Sequence, residues 1–441
     1  MNHYQAIIIG FGKGGKTLAA TLAKVGWRVA MIEQSTTMYG GTCINIGCIP
    51  TKTLVHDAHE KLDFTSAIQR KSAVVDFLRD KNLHNLADLD NVVVINGRAE
   101  FIDAHTVRVV KDDGELELHG EKIFINTGAQ SIFPDIVGLQ TTPGVFDSTG
   151  LLSLTELPAS LGILGGGYIG VEFAAMFARF GCKVTIFEAA GEFLPREDRD
   201  IAGAIATILN DEGIELILNA QVSAVSSLEG TVQVRTGKGD HMVEALLVAS
   251  GRKPATESLQ LKKAGVNVNE RGAIIVDKYL RTSVDHIWAM GDVNGGLQFT
   301  YVSLDDYRIV RDTLLGEGLR HTDDRKNVPY SVFMTPPFSH IGMNETQARA
   351  SGAQIQVVTM ATTAIPRARV INDTRGVLKA IVESNTQKIL GVTLLCAESH
   401  EMINIVKTVM DAGLPYTVLR DQIFTHPTMS ESLNDLFSLI K

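Results

Sequence analysis

The chain contains few cysteines, no long apolar run and no block of basic residues. Only four cysteines occur among 441 residues, which excludes a framework of stabilising disulfides. No apolar stretch is long enough to span a bilayer, and the chain begins with an apolar strand pattern rather than a signal peptide. The formal net charge of −9 disfavours nucleic acid or an anionic membrane as a partner. We therefore expect a cytoplasmic protein that acts on small molecules or ions.

Length and composition indicate a globular protein of several domains. A chain of 441 residues exceeds what one hydrophobic core usually holds. Hydrophobic residues make up 45% of the sequence and charged residues 21%, which is ordinary for a folded chain and gives no sign of disorder. Two or three domains are the expectation.

One pattern of residues occurs twice in the chain. An apolar strand leads into three spaced glycines, a helical stretch that a glycine ends, a second strand and a glutamate. The first copy contains Gly10, Gly12, Gly15 and Glu33, and the second contains Gly165, Gly167, Gly170 and Glu188. The first glycine allows the tight turn, the second the approach of a pyrophosphate and the third close helix packing, while the glutamate accepts from ribose hydroxyls. The repeat therefore predicts two dinucleotide sites, most simply for a flavin and a nicotinamide.

Three later apolar strands also end at a glycine. These strands lead into Thr127 and Gly128, into Gly251, and into Gly291 and Asp292. The carboxyl ends of parallel strands open toward a ligand crevice, so these residues are candidates for binding the dinucleotides. Asp292 is predicted to bind the ribityl or phosphate part of a flavin, and an ordinary turn or helix cap is the alternative.

The segment GGTCINIGCIPTK, residues 40–52, contains two cysteines separated by four residues, Cys43 and Cys48. A disulfide that closes so small a ring constrains the unfolded chain little, which favours a reversible redox role over a stabilising one. At the start of a helix the dipole also favours a thiolate. A structural zinc site is the rival, but it requires four ligands and the sequence has no second close cysteine pair.

These motifs, in this order, resemble those of the pyridine nucleotide-disulfide oxidoreductases, which include dihydrolipoamide dehydrogenase, glutathione reductase and mercuric reductase. The resemblance rests on the cysteine segment, on GGGYIGVE, on the Gly-Asp pair and on HPTMSE near the C-terminus, and it covers essentially the whole chain. It implies an α/β fold with two Rossmann-like dinucleotide-binding domains, for FAD and NAD(P)H, and a C-terminal α+β dimerisation domain. The expected limits are 1–149 and 272–327 for the FAD domain, 150–271 for the NAD(P)H domain and 328–441 for the dimerisation domain.

The resemblance also implies roles for single residues. Cys48 would lie against the flavin, and Cys43 would be the outer thiol that meets the substrate. Lys52 would pair with Glu172 near the flavin ring. Tyr168 would gate the nicotinamide pocket.

Two C-terminal residues complete the implied site. His426, oriented by Glu431, would act as acid and base toward the outer thiol, and it would come from the partner subunit of a homodimer. Spacing alone is unspecific here, because a histidine five residues before a glutamate is usually a solvated or packing residue. The implied FAD contacts are Gly10, Gly12, Gly15, Glu33, Thr42, Lys52, Thr127, Gly128, Gly291 and Asp292. The implied NAD(P)H contacts are Gly165, Gly167, Tyr168, Gly170, Glu188 and Gly251.

The sequence favours NADH as the electron donor. A carboxylate at Glu188 binds the free ribose hydroxyl and repels the extra phosphate of NADPH. Arg196 and Arg199 follow shortly, however, and arginines in this neighbourhood bind that phosphate in NADPH-specific relatives. NADPH therefore remains the alternative.

The predicted acceptor is a metal ion. The chain also resembles the branch that contains the mercuric reductases and the bacterial flavoproteins of reactive-chlorine resistance, and this resemblance implies reduction of copper(II), or of mercury(II), in oxidant defence. Cys43 and Cys48 would bind the substrate metal transiently, because thiolates suit copper(I). His56 and His59 would assist, or would simply be surface residues of a helix. The alternatives are dihydrolipoamide dehydrogenase or another reductase of small disulfides, and a flavin-based redox sensor without significant turnover.

Overall fold

The computed structural model describes residues 2–441 and contains both parallel and antiparallel sheets. The strands are β1 (Asn2–Ile9), β2 (Val29–Glu33), β3 (Val92–Asn96), β4 (Arg98–Phe101), β5 (Thr106–Lys111), β6 (Gly114–Ile125), β7 (Ala129–Ser131), β8 (Val145–Phe146), β9 (Ser160–Leu164), β10 (Lys183–Phe187), β11 (Glu215–Ile217), β12 (Val222–Leu228), β13 (Thr231–Thr236), β14 (Gly239–Val243), β15 (Ala245–Val248), β16 (Arg252–Pro254), β17 (Ile287–Ala289), β18 (Tyr330–Val332), β19 (Phe338–Gly342), β20 (Ile355–Ala361), β21 (Val377–Glu383) and β22 (Ile389–Leu395).

Helices of 4 to 24 residues connect and cover these strands. They are α1 (Lys13–Lys24), α2 (Thr42–Asn45), α3 (Cys48–His59), α4 (Phe64–Ala87), α5 (Ser148–Leu151), α6 (Tyr168–Arg179), α7 (Arg199–Asp211), α8 (Leu261–Ala264), α9 (Thr300–Leu315), α10 (Glu345–Ala350), α11 (Pro366–Val370), α12 (Ser399–Asp411), α13 (Thr417–Asp421) and α14 (Ser432–Ser438). Among residues 2–441, none of them combines the length and the apolarity that crossing a membrane requires.

The first domain is built on a seven-stranded sheet. Its order is β3-β2-β1-β6-β5-β4, and β17 also pairs with β6. Strands β1, β2, β3, β6 and β17 run parallel, and β1 and β2 are largely apolar because helices cover both faces of such a sheet. The carboxyl ends of β1, β6 and β17 therefore meet at one edge. Asn126, just after β6, fastens this edge by accepting from Gly15 N–H at 2.9 Å and donating to Met290 O at 2.6 Å.

The second domain repeats this architecture around a parallel sheet with the order β11-β10-β9-β15-β8. Helix α6 packs on β9 and β10, and a three-stranded antiparallel sheet of β12, β13 and β14 lies beside it. Strand β8 pairs with β15 at the edge of this sheet. Leu259, Leu261 and Val266 pack in the core of the first domain.

The third domain is an antiparallel sheet with the order β18-β19-β22-β21-β20. Helix α12 packs against β19 and β22, and α14 packs against β20 and β21. With two parallel α/β domains and this C-terminal unit, the predicted fold class is confirmed.

A buried lysine joins the third domain to the second. Lys379 in β21 is 3% exposed, and its ammonium lies 3.0 Å from Asp198, 3.0 Å from Asp200 and 2.8 Å from Glu345. A charge this deeply buried needs such partners to offset the loss of its hydration. The cluster fixes the start of α7, and with it the preceding loop, against the third domain.

Candidate active site

The two close cysteines lie in the short helix α2 and at the N-terminus of α3. Cys43 is in α2, and Cys48 is the first residue of α3. Both are free thiols. The Cys48 sulfur lies 3.6 Å from the hydroxyl oxygen of Thr300, which is the first residue of the 16-residue helix α9. The N-terminal ends of α3 and α9 both favour a negative charge on that sulfur.

The surroundings of the two thiols separate their acidities. The pKa of Cys48 is lowered, chiefly by a hydrogen bond from the Cys43 thiol, with further contributions from Thr300 and the positive charge of Lys52. The pKa of Cys43 is raised, first because its proton is engaged with Cys48 and second because it is buried. The reduced pair therefore ionises first at Cys48, and Cys43 stays protonated as the donor.

Lys52 and Glu172 form an ion pair between the first two domains. Their nitrogen and oxygen atoms lie 2.7 Å apart. Lys52 is four residues after Cys48, so both side chains lie on the same face of α3. Phe333 from the third domain completes the group, since its N–H donates to Glu172 at 2.8 Å and its ring centroid lies 4.7 Å from the Lys52 ammonium. The sequence motifs predict the ion pair, but no motif points to Phe333.

Each glycine-rich turn is held by the glutamate of its own repeat. In both copies the carboxylate accepts one N–H from the residue after the first glycine and another from the residue two positions beyond the glutamate. The donors are Phe11 at 3.0 Å and Ser35 at 3.2 Å for Glu33, and Gly166 at 2.7 Å and Ala190 at 2.8 Å for Glu188. The two turns are thus built in the same way, residue by residue. The remaining lone pairs of each carboxylate can still accept ribose hydroxyls.

The first turn borders a cavity that suits part of a dinucleotide. The cavity measures about 270 Å³, and its lining includes Gly10, Glu33, Gly97 and Thr127. A glycine turn, a carboxylate and the carboxyl ends of β1, β2 and β6 are the surroundings that an adenosine takes in such folds. The residues present therefore fit the adenosine half of FAD.

Other predicted FAD residues lie along the same edge of the first sheet. A Cβ on Gly128 would lie 3.9 Å from the Thr42 hydroxyl, so these two residues are neighbours. Gly291 donates its N–H to Asp306 at 2.6 Å. Asp292 is a partly buried residue that follows β17, and burial is the main cause that raises the pKa of its carboxyl group.

The second turn leaves room where a pyrophosphate would approach. A Cβ on Gly167 would meet nothing within 4 Å, whereas one on Gly165 would meet Ala249 O at 2.7 Å and one on Gly170 would meet Gly165 O at 2.1 Å. Gly167 is the N-cap of helix α6, and no side chain caps the first N–H groups of that helix. Free N–H groups at a helix start attract phosphate, so this turn fits the pyrophosphate of NAD(P)H. Gly251, which follows β15, turns with a φ of +111°.

Arg199 is already occupied by the loop that precedes α7. Its guanidinium donates to the carbonyl oxygens of Phe193, Leu194 and Glu197 at 3.0, 2.6 and 2.7 Å. The side chain of Arg196 is exposed. Arg196 and Arg199 were the two candidates for binding the extra phosphate of NADPH. Arg199 is already hydrogen-bonded to main-chain carbonyl oxygens.

Tyr168, the first residue of α6, donates its hydroxyl to Glu197. Tyr330 of the third domain donates to the same carboxylate oxygen at 2.7 Å, and the two tyrosine rings stack with centroids 5.4 Å apart. Tyr168 belongs to a motif of the sequence, whereas Glu197 and Tyr330 were not predicted. Neither partner belongs to a motif, so no local signal pointed to them.

His426 and Glu431 form the predicted pair on the surface of the third domain. The His426 Nδ1 lies 2.7 Å from a Glu431 oxygen, and the histidine side chain is 66% exposed. Within residues 2–441 His426 makes no hydrogen bond to Cys43 or Cys48.

His56 and His59 are exposed residues of α3. In the part of the chain that the structure describes, no group of three or more histidine, cysteine, aspartate or glutamate side chains is arranged to hold a metal ion. Their assistance to a substrate metal stays a prediction.

Two family descriptions match almost the whole sequence. Residues 4–306 match the pyridine nucleotide-disulphide oxidoreductases. Residues 328–437 match the dimerisation domain of the same group.

Individual proteins are similar over the full length. The chain is 72% identical to a protein of Escherichia coli strain K12 named probable pyridine nucleotide-disulfide oxidoreductase RclA, with 100% of each chain covered. It is 34% identical to the mercuric reductase of Streptomyces lividans, covering 98% of this chain and 94% of that one. A solved structure of the Escherichia coli protein, described as the Cu(II) complex of HOCl-induced flavoprotein disulfide reductase RclA, superposes with a TM-score of 0.99, 72% identity and 100% coverage of both chains.

Proposed function

Because this chain belongs to the pyridine nucleotide-disulphide oxidoreductase family, we propose that it is an FAD-dependent NAD(P)H oxidoreductase that reduces copper(II) through Cys43 and Cys48. The observation that carries the proposal is the thiol pair at the start of α3, where the Cys48 sulfur lies 3.6 Å from the Thr300 hydroxyl oxygen and Lys52 lies on the same helix face. The relative that is 72% identical is described as HOCl-induced and as a Cu(II) complex. That description supports copper(II) as the acceptor and oxidant defence as the setting.

The residues that would hold the two dinucleotides are those of the two glycine turns. Glu33, Thr127 and Asp292 would hold FAD, and Gly167 and Glu188 would hold NAD(P)H. FAD, when bound, supplies the route by which two electrons from a nicotinamide hydride reach the disulfide of the cysteine pair.

The cysteine pair would deliver those electrons one at a time. Oxidation of a Cys48 thiolate and a Cys43 thiol to a disulfide releases two electrons and one proton. Two copper(II) ions accept one electron each and become copper(I), which thiolates bind well. Lys52 would stabilise the Cys48 thiolate throughout, because its positive charge lies on the same face of α3.

The proton from Cys43 requires an acceptor. The family's dimerisation domain in this chain supports a homodimer formed by residues 328–441. In that dimer, His426 of the partner subunit would take the proton, and its hydrogen bond to Glu431 would hold the imidazole in the orientation needed.

A comparison of acceptors tests the proposal. The purified yellow protein is mixed anaerobically with NADH and with copper(II), mercury(II), lipoamide or glutathione disulfide in turn, and NADH oxidation is followed. We expect turnover with copper(II) to exceed that with either disulfide, and a copper(I) chelator to report two copper(I) ions for each NADH. Fast turnover with one disulfide and none with metals would make the protein a disulfide reductase. A flavin that NADH reduces without turnover on any acceptor would indicate a redox sensor.

NADH should be preferred to NADPH, because the Glu188 carboxylate at the second glycine turn would repel the extra phosphate and Arg199 is held by carbonyl oxygens. We expect kcat/KM for NADH to exceed that for NADPH about tenfold or more, the ratio that ~1.4 kcal/mol produces. Glu188→Ser should narrow this ratio by raising KM for NADH and lowering KM for NADPH. Asp211→Ser, an exposed carboxylate of the same domain, should leave it unchanged. Equal use of both donors by the wild-type protein would contradict the assignment of Glu188.

A further inference from the structure

Glu197 is a buried carboxylate that the proposed reaction does not use. The residue is 5% exposed and lies in the loop before α7. In residues 2–441 its side chain forms no ion pair, and its hydrogen-bond donors are the hydroxyls of Tyr168 and Tyr330. A carboxylate taken out of water is costly unless strong partners replace its hydration. The two phenol hydroxyls, which donate to the same oxygen atom of Glu197, are the partners that replace its hydration.

The two phenols come from different domains. Tyr168 starts α6 at the second glycine turn, directly after Gly167, where space is open for a dinucleotide. Tyr330 is in β18 of the third domain. Glu197 itself precedes Asp198, which Lys379 fastens to the third domain at 3.0 Å. The carboxylate and Tyr330 are therefore fixed by packing between domains, whereas Tyr168 stands at the edge of the open turn.

The aromatic rings continue toward the redox thiols. The Tyr330 ring lies 6.4 Å from that of Phe299 at an interplanar angle of 8°, and Phe299 lies 5.1 Å from Tyr301 at 9°. Between these last two residues in sequence is Thr300, whose hydroxyl lies 3.6 Å from the Cys48 sulfur. A row of aromatic rings therefore links the Glu197 group to the segment that contacts Cys48.

Both phenols remain donors under ordinary conditions. Burial raises the pKa of Tyr168 and of Tyr330, and the negative charge of Glu197 raises both further. The Glu197 oxygen thus accepts from two protonated phenols, and one of them is enough to keep it hydrogen-bonded.

We propose that Glu197 is a positioning residue that holds Tyr168 over the nicotinamide side of the second glycine turn, with Tyr330 as a reserve donor when Tyr168 moves away. The inference rests on the proposed use of NAD(P)H. Entry of the nicotinamide ring breaks the bond between Tyr168 and Glu197, but Tyr330 still donates. The Glu197 carboxylate therefore always has a donor. Moving Tyr168 away then costs less free energy than leaving a buried acceptor without a hydrogen bond.

This arrangement predicts opposite effects for two removals of a hydroxyl group. Tyr168→Phe removes the bond that must break, so NAD⁺ should bind more tightly. Tyr330→Phe removes the reserve donor, so opening leaves Glu197 bare and NAD⁺ should bind about tenfold more weakly. Glu197→Gln should act like Tyr168→Phe, because a neutral amide oxygen accepts more weakly than a carboxylate.

Titration calorimetry on the oxidised holoenzyme tests the inference without turnover. NAD⁺ and ADP-ribose are compared, because ADP-ribose occupies the same turn but has no nicotinamide ring. We expect the three variants to change the affinity for NAD⁺ in the stated directions and to leave that for ADP-ribose within a factor of two. Tyr279→Phe, a tyrosine of the first domain that contacts none of these residues, is the matched control.

Two results would overturn the inference. One is an unchanged ratio of NAD⁺ to ADP-ribose affinity in all three variants, with NAD⁺ still bound by the wild-type protein. The other is a wild-type protein that binds neither ligand, which would also remove the proposed use of NAD(P)H. The first result would leave that proposed use intact, so the two failures are distinguishable.

Discussion

Cys48→Ser should abolish reduction of copper(II) while NADH still reduces the bound flavin. A serine hydroxyl is not ionised at neutral pH and cannot form the disulfide, so both the resting thiolate and the product of its oxidation are lost. We expect turnover with copper(II) to fall roughly 100-fold or more. Stopped-flow absorbance of the flavin separates the two halves of the reaction, and only the second should be affected.

Cys43→Ser should give the same loss for a different reason, because the serine variant keeps a thiolate at residue 48 but no second sulfur. Cys182→Ala, which changes a buried cysteine of the second domain, should leave turnover unchanged. If Cys43→Ser and Cys48→Ser both reduce copper(II) at the wild-type rate, the thiols carry no electrons. Electrons would then pass from the flavin directly to the metal.

Lys52→Met should shift the pH dependence of the reaction toward higher pH. Lys52 lowers the pKa of Cys48, while Glu172 raises it. Removing the cation therefore loses the first effect and exposes the second, so the pKa of Cys48 rises. The thiolate is present above its pKa, hence a variant with a raised pKa has less thiolate at neutral pH. We expect turnover at pH 7 to drop about tenfold and to recover partly as the pH increases.

The rate of Cys48 alkylation against pH measures this shift directly. Lys52→Arg keeps the charge and should retain a profile close to that of the wild type. Lys71→Met removes a half-buried lysine of α4 that donates to Leu152 O at 2.9 Å, and it serves as the control for loss of a lysine. An alkylation profile of Lys52→Met identical to the wild-type profile would show that the ion pair has no electrostatic role at the thiol.

Much of the candidate site could be predicted because its residues come in short segments. The glycine turns and their glutamates follow a fixed spacing, and the cysteines lie within one segment that starts α3. The ion pair of Lys52 and Glu172 joins α3 and α6, and it was found only through the resemblance to a family. A short motif determines the conformation of its own backbone, so the positions of its residues can be predicted from the sequence.

The residues that were missed belong to contacts between domains. Thr300, Phe333 and Tyr330 stand in segments without a motif, and they reach the site only when the third domain and the returning part of the first domain have docked. Glu197 lies in a loop whose place depends on the buried Lys379. No periodicity or spacing encodes that docking. The roles of single residues and a cytoplasmic location stay predictions.

The first domain is completed by parts of the chain that are made late. Strand β17 pairs with β6, α9 packs on α1, and Asn126 donates to the carbonyl oxygen of Met290. In each contact the two partners are separated in sequence by the whole second domain. A chain that emerges from the ribosome therefore presents an unfinished sheet for as long as that inserted domain is being synthesised. The inserted domain is contiguous and can bury its core first. The second domain is thus made before the first domain can close, and the sheet edge proposed to bind the flavin is complete only after β17 and α9 have been synthesised.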